Sequence, residues 1–568
     1  MKRKSKVLFL QLPCLDNDVA GARENLPLAG IYLNYALGRS AESSWFQGVF
    51  LPAIDELDNR GLVHGIMAAA PDVLVCTLYL WNVERTLRVI RALRRLQPCI
   101  KVLAGGPEAA RRHPFLFRGA TLDAVAVGEG ETVFPAMLHA LRTGGETDFN
   151  TVAWRRGRTW IWGGQDAAPV ILARDLPPPD DEGMPLDAGR IGYLETTRGC
   201  PMQCSFCRYH HLRPKMDVLP PDEVIRRVQA WMKRGAREVR FIDPTLNAHP
   251  QFVEILERLV KLNSRRRLSF FAELKADTID ARAAELLARA NFTGIEVGMQ
   301  SMDAQVLKAI RRPTRFDRLE EGIRRMTRHG IRITLDVMYG LPRQRPADVY
   351  RAIRWGRRFR RVDLQCMQTL LLPGTDLRRD ARSFGLKAGA LPPYGVAATP
   401  VFSQKEMVRL EQFLSDAPDL PSDSPMDCFA GYAPGPLFPD VTCLDVSRSL
   451  RAFVLPEGGN RRVLVLSGND LYACRGVIKR LLVRVVRTEP DALWQFVLAP
   501  AQEEPLDLID ELAGALRNMP AHILDRYASA GLTGRLAARR LCIRLRRGRR
   551  YDPAWVAAAE DALRAVFY

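Results

Sequence analysis

Two hydrophobic rhythms alternate along most of this chain. Over residues 1–145, short apolar runs are separated by stretches with one apolar stripe at helical spacing. "KVLFLQL" (6–12) reads as a buried strand and residues 27–37 as a helix. A strand near Trp45–Phe50 follows, then a helix ending near Ala70. "DVLVCTL" (72–78) is a third strand, with a helix over Val83–Leu96 behind it. "IKVLAGG" (100–106) and "LDAVAVGEG" (122–130) complete five strands, and a last helix starts near Glu131. This pattern predicts an α/β fold with a parallel, doubly wound sheet. Five such units fit the flavodoxin-like order, in which ligands sit outside the carboxyl ends of the strands.

The rhythm then breaks. "TVAWRRGRTWIW" (151–162) reads as a hairpin, and "RDLPPPDDEGMPLDAGR" (174–190) is proline-rich and acidic, a linker rather than an element. Residues 146–189 are therefore assigned to a hairpin and linker. From Gly192 the alternation resumes, with strands expected at Tyr193–Thr197, Glu238–Ile242, Leu268–Glu273, Gly294–Met299, Arg332–Met338 and Asp363–Leu370. Six βα units over residues 190–400 predict a partial (β/α)6 barrel with its active site at the C-terminal strand ends. Residues 401–568 carry weaker signals. "RAFVLP" (451–456), "RRVLVLS" (461–467) and "LWQFVLAP" (493–500) look like strands and the end of the chain looks helical, which suggests a separate α+β domain.

Composition narrows this picture. The 568 residues are 47% hydrophobic and 26% charged, which fits a multidomain globular enzyme. No run of ~18 apolar residues occurs, so no membrane span is expected. The apolar part of the N-terminus is short and meets Pro13 and Asp16, so a signal peptide is not expected. Eleven cysteines in so long a chain do not form a disulfide scaffold, and a reducing cytoplasm is the expected compartment. The net charge of +19 admits a polyanion partner or solvated basic faces. Its densest stretch, Arg535–Arg550, reads as a basic surface helix or a phosphate-binding patch and lacks interleaved aromatics, so nucleic acid is not the favoured partner.

The chemistry concentrates in "TTRGCPMQCSFCRYHH" (196–211), after the first barrel strand. Cys200, Cys204 and Cys207 stand with three and two residues between them. Three thiolates can hold three irons of a 4Fe-4S cluster and leave the fourth open for a ligand. Zinc held by the three cysteines and His210 or His211 is the rival, and the spacing alone leaves both open.

The triplet, with aromatic Phe206 before its last cysteine, resembles the signature of the radical S-adenosylmethionine (radical SAM) enzymes. The resemblance extends over roughly residues 190–380. "FIDPTLN" (241–247) looks like the motif beside the cofactor's amino group, with Asp243. Glu273 in "FAELKAD" ends the third strand, where the family often has a polar cofactor contact. "GIEVGMQS" (294–301) resembles the ribose-contacting motif, with Glu296, Gln300 and Ser301. "DVMYGLP" (336–342) and "LLLPGTDL" (370–377) match the fifth and sixth strands. The family implies S-adenosyl-L-methionine chelated to the open iron and cleaved reductively to methionine and a 5′-deoxyadenosyl radical, with electrons from a flavodoxin- or ferredoxin-type donor. Each polar position also has a plainer reading: Glu273 or Glu296 in a strand–helix ion pair, Asp243 capping the next turn, and Gly294, Gly298 and Gly340 in backbone packing.

The first domain is similar to the cobalamin-binding domain that precedes this barrel in cobalamin-dependent radical SAM enzymes. The matching segments are "LPLAGIYLNYAL" (26–37), "LAGGPEA" (103–109) and "VGEGE" (127–131). They nominate Gly105, Gly106, Glu108, Gly128, Glu129 and Gly130 as cofactor contacts, although ordinary strand-to-helix turns would look alike. His64 lacks the aspartate two residues earlier that marks a cobalt-ligating histidine, so the loop "LYLWN" (78–82), with Trp81, is nominated to cover the lower cobalt face. The resemblance implies a methyltransferase acting on an unactivated carbon or phosphorus of a small molecule or peptide. Related alternatives are a radical cyclase or rearrangement enzyme, and a tRNA methylthiotransferase. The last requires Cys14, Cys76 and Cys99 to meet around a second cluster, but Cys99 precedes strand four, at the other end of the sheet. A zinc-stabilised nucleic-acid-binding protein is the non-enzymatic alternative. Cys428, Cys443, Cys474 and Cys542 read as small buried hydrophobes.

Overall fold

The computed structural model describes residues 3–567 apart from 16–25, 165–170, 187–189, 214, 416–437, 449, 451–452, 530–537 and 547. Its first sheet contains β1 (Ser5–Leu10), β2 (Phe46–Phe50), β3 (Val73–Thr77), β4 (Lys101–Gly105) and β5 (Ala124–Ala126), parallel and in the order β2–β1–β3–β4–β5. This is the flavodoxin-like order expected from the sequence. Its helices bury one stripe each. In Val83–Leu96, Val83, Leu87, Ile90 and Leu93 recur at helical spacing and are fully or nearly fully buried. The helix Asn59–Ala69 starts where Asp58 accepts a 2.7 Å bond from Gly61 N.

The hairpin, β6 (Val152–Arg156) and β7 (Thr159–Trp162), pairs antiparallel against β5 and extends the same sheet to seven strands. Val152, Ala153 and Trp154 are buried, which ties the hairpin to the first domain rather than to the linker.

The second sheet holds six strands, all neighbours parallel: β8 (Ile191–Leu194), β11 (Glu238–Phe241), β12 (Ser269–Leu274), β13 (Phe292–Gln300), β14 (Arg332–Tyr339) and β15 (Val362–Gln368). A short antiparallel pair, β9 (Thr197–Arg198) with β10 (Asp217–Val218), lies just beyond β8. Strand order follows chain order, as in a partial barrel. Side chains alternate across it. Phe270, Ala272, Ile295, Val297, Ile333 and Leu335 pack into the large apolar core with the outer helices. Glu273, Glu296 and Asp336 therefore point to the inner face. Beyond β15 a small pair, β16 (Lys387–Ala388) with β17 (Val396–Ala398), closes the unit.

The third sheet corrects the expected α+β class. β18 (Asp440–Asp445), β19 (Arg461–Ser467), β20 (Leu493–Ala499) and β21 (Arg539–Ile543) are all parallel, so this unit is α/β. Parallel neighbours need crossovers, and the helices Arg475–Thr488 and Asp507–Arg517 supply two of them. Of the expected strand "RAFVLP", residues 453–456 form no strand and 451–452 lie outside the described residues. The expected basic helix is also corrected. Arg539–Ile543 is a buried strand, while 535–537 and 547 lie outside the described residues. Leu541 and Ile543 fill the apolar core, and that burial overrides the local charge density. The chain ends in the helix Pro553–Phe567. Cys443 is exposed, Cys474 half-buried and Cys542 buried, so the small-hydrophobe reading fits only Cys542 fully; Cys428 lies outside the described residues.

Candidate active site

The cysteine loop leaves the C-terminal end of the first barrel strand and is held by backbone. Gly199 turns it at φ +94°, a left-handed conformation that a side chain would strain. Ser205 is clamped from both sides: its N–H donates to Ile310 O at 3.0 Å and its carbonyl accepts from Leu377 N at 2.7 Å. Cys207 N donates to Cys204 O at 3.1 Å. Phe206 wedges against Val306, Leu307, Ile310, Met338 and Leu341, so its role here is packing. Cys204 is buried, with Cys200 and Cys207 half-buried beside it. Burial pushes the Cys200 and Cys207 thiols up, Cys207 to about 11, and the neighbouring cysteines add to the shift. Three crowded cysteine sulfurs at one loop suit the ligation of a multivalent cationic cluster. Among the described residues, no group of three or more His, Cys, Asp or Glu side chains has closed around a metal-sized point, the triplet included. For the zinc alternative, His210 turns its Nε2 toward Asp376, 3.9 Å away, and the His211 side chain lies outside the described residues.

Asp243 is almost fully buried behind this loop. Its Oδ1 accepts from Thr196 N at 3.0 Å and Thr196 Oγ1 at 2.8 Å, and from both the N–H and the hydroxyl of Thr197. Burial pushes its carboxyl up to about 6 against those bonds. Asp243 thus fixes the strand end leading into the cysteines. It does not cap the turn before Pro244, and its Oδ2 has no partner among the described residues.

Glu273 and Glu296 face each other in register across β12 and β13, and Asp336 follows on β14. No strand–helix ion pair forms for Glu273 or Glu296 among the described residues. Burial, then the Glu296 charge, pushes Glu273 to about 7; burial and Glu296 push Asp336 to about 8. Glu273 and Asp336 therefore keep much of their protonated form at neutral pH. Arg312 reaches them from beyond β13, donating to Gly298 O at 3.2 Å and to Cys204 Sγ at 3.4 Å. Gln300 sits at φ +65° with its Oε1 buried and unpartnered among the described residues, whereas Ser301 Oγ is used locally, accepting from Asp303 N at 3.2 Å.

Between the first sheet and the barrel lies a cavity of about 330 Å³ at the C-terminal ends of both sheets. Gly105, Gly106, Gly128, Glu129 and Gly130 line it from one side, and Arg198, Gly199, Arg208 and Tyr209 of the cysteine segment from the other. Gly106 stands at φ +103°, and a Cβ there would lie 2.8 Å from Leu78 O, so bare backbone forms that wall. The floor is apolar, with Ala29, Leu33, Val75, Leu103, Phe134 and Met137. The bare glycine backbone and aliphatic floor suit the face of a flat macrocycle, with paired charges at the rim. Glu129 is taken by a two-point pair with Arg213, at 3.0 and 2.8 Å, and Glu131 by Arg198 at 2.6 Å. Glu195 lies 3.2 Å from Arg198, and burial still pushes its carboxyl up to about 7.

Two nominated groups, Glu108 and Trp81, fall elsewhere. Glu108 is outside the cavity, buried between His113 Nε2 at 2.9 Å and Tyr394 Oη at 2.5 Å, where it pins the first domain to the barrel's last segment. Tyr79, not Trp81, faces the cavity; Trp81 stacks behind it, with ring centroids 4.4 Å apart. His64 is exposed, 3.4 Å from Glu457. No histidine is among the described residues lining the cavity. Cys76 lines it, whereas Cys99 is exposed before β4 at the opposite sheet end, so these cysteines cannot share one cluster. Sequence reasoning missed Glu195, Arg198, Arg312 and Asp336. Asp336 stood inside a motif already singled out, but its pairing with Glu296 is visible only across strands.

Residues 194–356 match the family model of the Radical SAM superfamily, and residues 54–138 that of the B12 binding domain. The chain joins a B12-binding domain to a radical SAM domain. It is 29% identical over 347 residues to the cobalamin-dependent radical SAM methyltransferase TokK of Streptomyces tokunonensis, covering 56% of this chain and 49% of that protein. It is 27% identical over 329 residues to the 2-(S-pantetheinyl)-carbapenam-3-carboxylate methyltransferase of Streptantibioticus cattleyicolor, covering 50% and 45%. The chain thus spans about half the length of these curated relatives. Among solved structures, the radical S-adenosylmethionine methyltransferase TsrM of Kitasatospora setae, bound to tryptophan and a SAM analogue, shares the fold. Its TM-score is 0.53 at 15% identity, over 68% of this chain and 78% of that one. Among the described residues, no helix is long and apolar enough to cross a membrane.

Proposed function

We propose that this protein is a cobalamin-dependent radical SAM methyltransferase acting on an unactivated carbon or phosphorus of a small molecule or peptide. One observation carries the reading: the segment bearing Cys200, Cys204 and Cys207 and the glycine-rich turns of the first sheet wall the same cavity. Two reactive centres that must address one substrate atom need such a shared space. When bound, the 4Fe-4S cluster supplies an electron to the sulfonium of S-adenosylmethionine, and cobalamin supplies the methyl group.

This chain's own residues do the positioning. The three thiolates hold the cluster, and Arg312 places positive charge beside Cys204. Asp243 keeps the strand end behind the loop in place. Glu273, Glu296, Asp336 and Gln300 offer protonated and ionised carboxyls and an amide on the inner barrel face, suited to the amine and hydroxyl groups of the nucleoside. Gly105, Gly106, Gly128 and Gly130 would let backbone approach the macrocycle, Tyr79 would line its pocket, and no histidine lines the cavity among the described residues. Electrons come from a flavodoxin- or ferredoxin-type donor in a reducing cytoplasm.

The test has two arms. Replacing the three cysteines with alanine abolishes both the iron–sulfur absorption and S-adenosylmethionine cleavage; cleavage that survives removes the radical reading. Wild type reconstituted with hydroxocobalamin retains the corrin bands after gel filtration; a chain that never retains corrin removes the methyltransferase reading and leaves the radical one.

A further inference from the structure

We propose that the junction of the first and third domains binds a small oxyanionic ligand, a molecule bearing a phosphate or carboxylate group. A cavity of about 200 Å³ lies there, bounded by the helix Val83–Leu96 on one side and the start of β21 on the other. It is separate from the cavity that faces the cysteines.

The argument rests on what its walls leave unsatisfied. Trp81 Nε1, Arg85 Nη1, and Arg539 Nε and Nη1 are buried without a hydrogen-bond partner among the described residues, and all three residues line this cavity. Arg85 and Arg539 are 5% and 1% exposed. Their remaining nitrogens are anchored: Arg85 Nε to Asn59 Oδ1 at 3.0 Å, and Arg539 Nη2 to Pro520 O at 2.9 Å. The guanidiniums are therefore fixed, and the orphaned N–H groups are not a matter of loose side chains. Indole and guanidinium groups only donate. A buried donor left unmade costs ~1–3 kcal/mol, and more when charged. The deficit is all of one kind, so what is missing is an acceptor, and two guanidiniums favour a negatively charged one.

The acids that face the cavity do not fill that role. Asp491 is held by Arg88 at 2.7 Å and by Asn59 Nδ2 at 2.8 Å. Glu84 is paired with Arg526. His522 is engaged by Asp491 O and Leu524 N, and burial holds its pKa below the ordinary value, so it adds no charge. Arg85, Arg487 and Arg539 have no carboxylate at ion-pair distance among the described residues, and the lining keeps a surplus of positive charge. Water alone would fill the space but would not balance that charge.

The experiment titrates the full-length protein by calorimetry at constant ionic strength, with sodium phosphate and, separately, sodium succinate. Saturable heat with phosphate assigns a phosphorylated ligand; with succinate, a carboxylate. R539Q weakens the binding about tenfold or more, and W81F about two- to tenfold, as expected for a charged and a neutral donor. If neither anion gives saturable heat, the cavity holds water and the proposal fails. If both variants bind as wild type does, the anion sits elsewhere and the proposal fails. Should R539Q not fold, W81F decides alone, because it keeps the ring stacked on Tyr79 and removes just the donor.

Discussion

The first domain meets its neighbours through two sets of buried arginine–carboxylate pairs, and the sets are built differently. Toward the barrel, the carboxylates Glu129 and Glu131 sit on the glycine-rich turn after β5, and the arginines Arg198 and Arg213 on the cysteine segment. These pairs line a cavity whose floor is aliphatic and whose glycine turns expose bare backbone. Toward the third domain, Asp58 meets Arg462 at 2.6 Å, Glu489 meets Arg60 at 3.0 Å and Asp491 meets Arg88 at 2.7 Å. In the cavity beside them the arginines outnumber the acids, and buried donors are left over among the described residues. The same ion-pair chemistry thus borders one space fit for a large apolar-faced group and another fit for a small anion. What decides between them is what stands between the pairs: glycine turns in the first case, fixed guanidiniums in the second.

This contrast can be broken experimentally. The largest effects come from stranding a buried acid. R198M leaves Glu131 and Glu195 without an ion pair, and R462M removes the 2.6 Å partner of Asp58, which is about 1% exposed, and leaves it the longer 3.9 Å contact with Arg60. Each should cost ~3–5 kcal/mol in denaturant unfolding. Their corrin retention should differ: R198M loses it, whereas R462M keeps it. Equal loss in both would show that the two junctions are not separable. Next, G106A forces a Cβ against Leu78 at φ +103° and should cost ~1–3 kcal/mol while weakening corrin retention. The pH dependence is smaller. Burial raises the Glu195 carboxyl from 4.5 to about 7 in the folded protein. The folded state therefore holds this proton more tightly than the unfolded chain. The stability it contributes is full below pH 4.5 and is lost as pH rises to about 7. Thermal melts of the cofactor-free protein should show this decline, and E195Q should flatten it; an unchanged slope would place the proton elsewhere. Last, D303A removes the cap of the helix Ala304–Ala309, whose Gln305 N and Val306 N it accepts, and should cost ~1 kcal/mol without changing corrin retention.

The strands of the first two sheets were legible because their apolar runs fall between amphipathic helices, and each observed strand lies within a few residues of its expected place. The third sheet was harder to read. β21 begins with two arginines, and the short apolar run Leu541–Ile543 is hidden in so basic a stretch. The hairpin was recognised, but its attachment to β5 depends on pairing that local pattern does not encode. In the site, the cysteine spacing and the two glycine turns could be read directly. Glu108 could not, because one of its partners, Tyr394, lies 286 residues away. The exchange of roles between Tyr79 and Trp81 likewise depends on which face of a loop turns inward, and neighbouring aromatics leave no sequence signal for that.

Arg208, one residue past the last cysteine, donates to Pro373 O in the barrel and, at 3.0 Å, to Ala109 O in the first domain. It works as a latch across three segments. Any swing that parts the two domains wide enough to admit a bulky macrocycle must first release Ala109. The cysteine segment and the seam between the two domains therefore share one anchor, beside the Arg198–Glu131, Arg213–Glu129 and Tyr394–Glu108 bonds that cross the same seam.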